Sequence, residues 1–240
     1  MTPLETFKKN VYEVERLVNF DKELLQLVTM TIKDLHDRLA PIHADERMNG
    51  ARALQIINGI RDNATVQTKY EAIFNQAIVL LVSHFSSALG DLFRSSVARK
   101  LDSDEPGKLF DEEIKLTFGE MRDQEWNMKS AAADLLIAKY DFAFQDMGST
   151  VKAFKSYAGF ELTRDVSMNN IIAAQACRHV IVHSGGRVSE KTVRQVSGAN
   201  PRTLKPNLHA EEQIKFSAAE VDLVKADMLR LIEKIAAAVP

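Results

Sequence analysis

Apolar residues recur every three or four positions through most of this chain, the spacing of one face of an α-helix. The pattern opens with Leu4, Phe7, Val11, Val14, Val18, Leu25, Val28, Ile32, Leu35 and Leu39. Thr2-Pro3-Leu4-Glu5 precedes it with a capping residue, a proline at the first helical position and a glutamate three residues after the cap. Asp21 interrupts the seam where an apolar residue is expected. The pattern therefore predicts either one helix of about 54 Å running to Leu39 or two helices broken at Asn19-Phe20-Asp21. Ala40-Pro41 ends it. Such a seam packs within a bundle or forms part of a dimer interface.

A shorter helix is predicted over 46–61, then a long one from about Thr65 to Lys100. Its centre, Ala77-Ile78-Val79-Leu80-Leu81-Val82, is apolar all round, as a central core helix would be. Residues 102–108 read as an acidic loop. Further helices are expected over 110–120, 126–141 and 147–158. Another runs from Val166 to His183, with Ile171, Ile172, Ala174, Val180, Ile181 and Val182 available for packing. Gly185-Gly186 stops it, because glycine readily takes the left-handed conformation that follows a helix. A short helix over 189–197 and a loop over 198–208 with Pro201 and Pro206 come next. Ser217-Ala218-Ala219-Glu220 is a capping box opening a last helix to Ala238. No alternating strand pattern, solenoid repeat or linker is visible. The expected fold is all-α: a single helical domain over residues 1–240, with 1–62 a helical extension packing on the bundle or on a dimer interface.

Composition changes this picture little. With 240 residues, 45% hydrophobic and 27% charged, the chain can bury a sizeable core. No uninterrupted apolar run reaches the roughly 18 residues of a membrane span, and the amino terminus lacks the basic and apolar regions of a signal peptide. The single cysteine, Cys177, leaves no internal disulfide and no thiolate zinc cluster. A reducing compartment, the cytoplasm, is the expected location.

Charge is unevenly spread. The net charge is −2, yet residues 178–209 hold Arg178, Arg187, Lys191, Arg194, Arg202 and Lys205 against Glu190 alone. A polyanion would be drawn to that segment, although surface charges also cluster without a function. At its start lies Arg178-His179-Val180-Ile181-Val182-His183-Ser184-Gly185-Gly186. An arginine fork matches phosphate oxygens and keeps its charge, and histidine moves protons near neutral pH. Together they suit chemistry on a phosphate.

Spacing alone is weak. Three Arg–His pairs have four to six residues between them: Arg38–His43, Arg178–His183 and Arg202–His209. Pro41 and Pro206 interrupt the first and third, so only the second lies along an unbroken helix. Two other patterns fail. Gly186-Arg187-Val188-Ser189-Glu190-Lys191-Thr192 resembles the tail of a phosphate-binding loop, but Glu190 stands where glycine must precede the lysine. His179 and His183 have zinc-ligand spacing, but Val180 replaces the glutamate of the zinc-protease pattern and no third ligand is evident. No metal or other cofactor is expected. Each motif residue also has a plainer reading: His183 as a cap on the helix dipole, Arg178 as an ion-pair partner, His179 as a solvated side chain, Cys177 as a small packed apolar group.

Arg178, His179 and His183 resemble the signature of the HEPN superfamily: arginine, a polar residue, then histidine after four to six intervening positions. The continuation Ile181 to Gly186 is similar to the RiboL-PSP-HEPN or MAE-type subset, and Ala77 to Phe93 resembles their central helix. The specific match covers about a dozen residues. Many relatives carry an acid on that central helix where this chain has Ser86 or Ser87. The resemblance implies a homodimer with two motif helices facing across a two-fold axis. It implies a metal-independent endoribonuclease, a toxin or antiphage effector, restrained by an antitoxin or other defence protein where one exists. His183 would assist proton transfer, Arg178 would stabilise phosphoryl charge and His179 would orient the phosphate or its partner histidine. Products would be a 2′,3′-cyclic phosphate and a 5′-hydroxyl. Arg187, Lys191 and Arg194 are candidate RNA-backbone contacts. The alternatives are a non-catalytic helical module that binds RNA, a nucleotide or a protein partner, and a structural dimerisation protein built on the first seam.

Overall fold

The computed structural model describes residues 1–39, 59, 64–103 and 107–238. The elements in chain order are α1 (Pro3–Leu39), α2 (Ala64–Leu101), a 3-10 turn (Lys108–Asp111), α3 (Phe118–Asp123), α4 (Met128–Tyr140), α5 (Met147–Ala153), a π-helical turn (Phe154–Ala158), α6 (Val166–His183), α7 (Glu190–Ser197) and α8 (Ala218–Ala238). The fold is all-α. Among the described residues the only β pairing is an isolated antiparallel bridge, Arg187 with Gln213.

Helix α2 is the axis of the core. Ala77, Ile78, Leu81, Val82, Phe85, Leu89, Leu92 and Phe93 are all buried, and α1, α4, α6, α8 and the π turn pack around them. A helix apolar on every side is stable in water only when other helices cover it. Residues Tyr70–Leu101 are long and apolar enough on average to cross a membrane, although polar residues such as Ser83, His84 and Asp91 interrupt the run. In the fold this stretch is the bundle's centre.

Helix α1 is continuous through Asp21, which settles the open choice between one helix and two. Thr2 and Glu5 form the expected reciprocal cap: Thr2 N–H donates to Glu5 Oε2 at 2.7 Å, and Glu5 N–H to Thr2 Oγ1 at 3.2 Å. The seam is used only in its first half. Phe7, Val11 and Val14 are buried, with Phe7 against Phe85. Farther along, Val28 and Leu35 of the seam are exposed, as are Phe20, Leu24, Leu27 and Met30. The predicted helix over 46–61 (Gly59 apart) and the stop at Ala40-Pro41 lie outside the described residues.

The helix predicted over 110–120 does not form. A 3-10 turn ends at Asp111, the chain then has no helix until Phe118, and α3 begins there. Side-chain hydrogen bonds explain the difference. Glu112 takes extended backbone and accepts from Lys139 Nζ (2.7 Å), Tyr140 Oη (2.7 Å) and Tyr157 Oη (2.8 Å). Thr117 caps α3 in a second capping box with Glu120. The remaining predicted elements stand close to their expected bounds, including the Ser217–Glu220 cap of α8.

A buried polar knot ties α6, the 200–206 loop and α8 together. Asn170 Oδ1 accepts from the backbone N–H of Thr203 and of Leu204, each at 2.9 Å, while its Nδ2 donates to Asp227 Oδ2 at 2.8 Å. Asn170 and Asp227 are 1% and 3% exposed, so their polar groups must find partners within the protein.

Candidate functional site

Asp165 starts the motif helix α6 by accepting the Met168 N–H at 2.8 Å. The helix stops after His183, where Gly186 N–H reaches back to the Val180 carbonyl at 3.0 Å. Gly185 and Gly186 have φ of 57° and 84°, as the sequence predicts. A Cβ at Gly186 would also displace the Gln213 amide, which donates to the Gly185 carbonyl at 2.9 Å. The Gly186 carbonyl accepts the Ile214 N–H at 2.8 Å, and Val188 exchanges backbone bonds with Glu211 (2.8 Å) and Glu212 (2.9 Å). This bridge directs the chain into α7, capped by Ser189 accepting the Thr192 N–H.

That path brings Lys191 back toward α6. His179 and His183, one turn apart, have ring centroids separated by 4.6 Å with their planes at 45°. Both are exposed, and so is Val182 on the same face, at 46%. Of the α6 residues expected to pack, Val182 is the exception; Ile171, Ala174 and Val180 are fully buried. The pKa of His179 is lowered from the ordinary 6.5, first by desolvation, then by the nearby His183, Lys191 and Arg178. The charged and protonatable groups that lower it are His183, Lys191 and Arg178. Arg178, His179, His183 and Lys191 thus form one electropositive cluster.

Arg178 is half-buried. One terminal nitrogen donates to Gln145 Oε1 at 3.5 Å, the outer limit of a hydrogen bond, and its Nε is buried without a partner. Among the described residues Arg178, Lys191 and Arg194 form no ion pair, so the structure gives no support to Arg178 as an ion-pair partner. Arg194 lies one turn beyond Lys191 on α7 and is exposed. Arg187 sits in an exposed pair with Glu211 at 2.8 Å, which a phosphate could displace at little cost.

The other two cations of the basic segment are structural. Arg202 donates to the carbonyls of Val196 (2.9 Å), Ala199 (3.0 Å), Lys205 (3.1 Å) and Pro206 (3.3 Å). Lys205 pairs with Glu220 at 2.8 Å and lies over the Phe216 ring. Cys177 is fully buried and burial pushes its thiol up to about 12, consistent with a packing role. Ser86 is buried and donates to its own helix at the Val82 carbonyl (2.9 Å), and Ser87 is exposed. Among the described residues no three His, Cys, Asp or Glu side chains gather as a metal site would require. His43, of the first Arg–His pair, lies outside the described residues.

Two residues near the motif escape sequence reasoning. Gln145 is the polar partner of Arg178 from 33 positions away, and Gln175, one turn before Arg178, accepts the Met147 N–H at 3.1 Å. The spacing of Gln175 to Arg178 was a visible signal; the contact to residues 145–147 was not. No protein-family model, curated protein or solved structure matches the chain.

Proposed function

We propose that this chain is a metal-independent endoribonuclease of HEPN type, cleaving RNA by attack of a 2′-hydroxyl on the adjacent phosphorus. The observation that carries the reading is the convergence of Arg178, His183 and Lys191 about His179, with neither Arg178 nor Lys191 in an ion pair among the described residues. Such a cluster suits a substrate that brings its own negative charge. Desolvation and neighbouring cations favour the neutral form of His179, so its imidazole is available to accept or share a proton.

In the proposed reaction the 2′-oxygen forms a bond to phosphorus and loses its proton to one imidazole. The bond from phosphorus to the 5′-oxygen breaks, and that oxygen takes a proton from a histidine. His183 carries one of these transfers, His179 orients the phosphate or the partner imidazole, and Arg178 holds the charge that builds on the phosphoryl oxygens. Proton transfer of this kind contributes roughly 10²–10⁴-fold. Lys191 and Arg194 extend the charge along α7 for the RNA backbone, with Arg187 beside the turn. A second copy of the chain would complete the cleft across the exposed Val182 face. The toxin or antiphage role, with an antitoxin or defence partner in the cytoplasm, rests on the HEPN resemblance alone.

The test is cleavage of mixed-sequence RNA by the purified chain in EDTA, beside Arg178→Ala and His183→Ala. Cyclic-phosphate ends from the wild type, lost in both folded variants, support the reading; unchanged cleavage by either variant refutes it. One observation favours a non-catalytic binding module instead. The Ser86/Ser87 position offers no carboxylate, and Ser86 is turned to its own helix. RNA binding without cleavage at high enzyme concentration is the outcome that reading expects.

A further inference from the structure

Among the described residues only two side-chain polar atoms are buried without a hydrogen-bond partner: Gln175 Nε2 and Arg178 Nε. They are three positions apart on α6, hence neighbours on one face, and both side chains reach the same short segment. Gln175 Oε1 accepts the N–H of Met147, the first residue of α5, while Arg178 touches Gln145 two residues earlier. The Gln175 amide has no freedom to flip. Met147 N–H is a donor, so the amide oxygen must face it and the NH2 group must point away.

The segment between is held from both sides. Phe144 is buried against Phe93 and Phe154, and Met147 is pinned by Gln175. Gln145, exposed, is therefore presented to Arg178 by two anchors. Around the guanidinium stem this arrangement supplies donors and one distant neutral acceptor. A glutamate at 175 could accept the Met147 N–H equally well, and it would set a negative charge one turn before Arg178. The residue present is 7% exposed and neutral.

We propose that Gln175 is a positioning residue for Arg178: it fixes the 145–147 segment while placing no carboxylate beside the guanidinium, so that the terminal nitrogens of Arg178 stay available to an incoming phosphate oxygen. The proposal rests on the phosphate-directed reading of the cluster, and not on catalysis itself.

The test uses the full-length chain and the ¹⁵N–¹H resonance of the Arg178 Nε–H, titrated with inorganic phosphate. In the wild type this resonance shifts saturably. In Gln175→Glu the Met147 contact and the melting temperature are kept, and phosphate affinity falls by about tenfold or more, because a carboxylate now occupies the guanidinium. Should that variant fold poorly, Gln145→Glu places a carboxylate on the same group from an exposed position and carries the same expectation. Wild-type phosphate affinity in a folded Glu variant, or no response of the wild-type resonance, overturns the proposal. RNA cleavage measured in parallel separates the two readings. A phosphate response lost in Gln175→Glu, in a chain that never cuts RNA, sustains the positioning role and removes the nuclease. Cleavage by Gln175→Glu with wild-type kcat and KM does the reverse.

Discussion

The imidazoles of His179 and His183 lie 4.6 Å apart, centroid to centroid, on the exposed face of one helical turn. At that distance the two rings cannot both take up a proton without repelling each other, and Lys191 adds to the repulsion on His179. The neutral form of His179 is thereby favoured.

Titration of the histidines by NMR should place His179 below the ordinary 6.5. Replacing Lys191 or His183 with alanine should raise it, since each removes a charge that disfavours protonation. For stability, a histidine with a depressed folded pKa contributes fully above its unfolded pKa. That contribution is lost as pH falls through 6.5 toward the folded value. Mildly acidic buffer should thus destabilise the wild type relative to His179→Gln. A His179 midpoint at or above 6.5 would contradict the cationic cluster.

Lys191→Ala and Arg194→Ala should each weaken RNA binding, and should reduce the slope of log K against log salt by about 0.7, one single-strand phosphate contact apiece. Arg202→Ala should leave that slope unchanged and lower the melting temperature, because four backbone carbonyls depend on its guanidinium. Binding measured at several salt concentrations, with parallel thermal melts, separates the two classes.

These contrasts mark how far the sequence could be read. The 3,4 spacing, the capping pairs at Thr2–Glu5 and Ser217–Glu220, and the glycines at 185 and 186 are local signals, so the helices and the end of α6 were legible from them. The failures were all non-local. Residues 112–117 carry helical spacing, but Glu112 is drawn into extended backbone by partners 27 to 45 positions away. The first seam is interrupted only at Asp21, and its spacing does not say that Val28 and Leu35 stay exposed. Arg202 and Lys205 counted toward the basic segment of 178–209 without a role of their own, and only the fold shows that they hold the loop together. Gln145 and Gln175 have no motif at all; their meaning lies in which turn they touch.

Glu112 gives the acid limb of stability. Hydrogen bonds from Lys139, Tyr140 and Tyr157 hold its carboxyl at about 2, below the ordinary 4.5. Its contribution is fully present above 4.5 and is lost as pH falls from there toward 2. Glu112→Gln should melt at a lower temperature than the wild type at pH 7, with the difference shrinking as pH falls across that window. A constant difference across the window would show that shape, not charge, holds the segment.

Asn170→Leu should be among the most damaging single changes, at roughly 2–4 kcal/mol, because it leaves the Thr203 and Leu204 N–H groups without their acceptor and removes the amide donor to buried Asp227 Oδ2. Arg178→Ala, by contrast, removes a side chain with one long hydrogen bond and should cost far less. Urea melts of both variants test the comparison. Near-equal losses would mean that Arg178 is structural.

Assembly supplies the sharpest choice among the remaining readings. Val182 is 46% exposed and lies on the face of α6 that carries His179 and His183, so a composite cleft would bury it against the second copy. A second exposed apolar face lies far from the motif, on α1 at Leu24, Leu27 and Met30. Charge placed in either interface would be desolvated there and should dissociate it. Under the nuclease reading, Val182→Glu converts dimer to monomer and abolishes cleavage, while Leu24→Glu with Leu27→Glu leaves both intact. If only the α1 variant dissociates the chain, the motif helices do not face each other across a two-fold axis, and the dimerisation reading takes precedence. Light scattering on the two variants, with RNA cleavage assayed on the same fractions, decides between them.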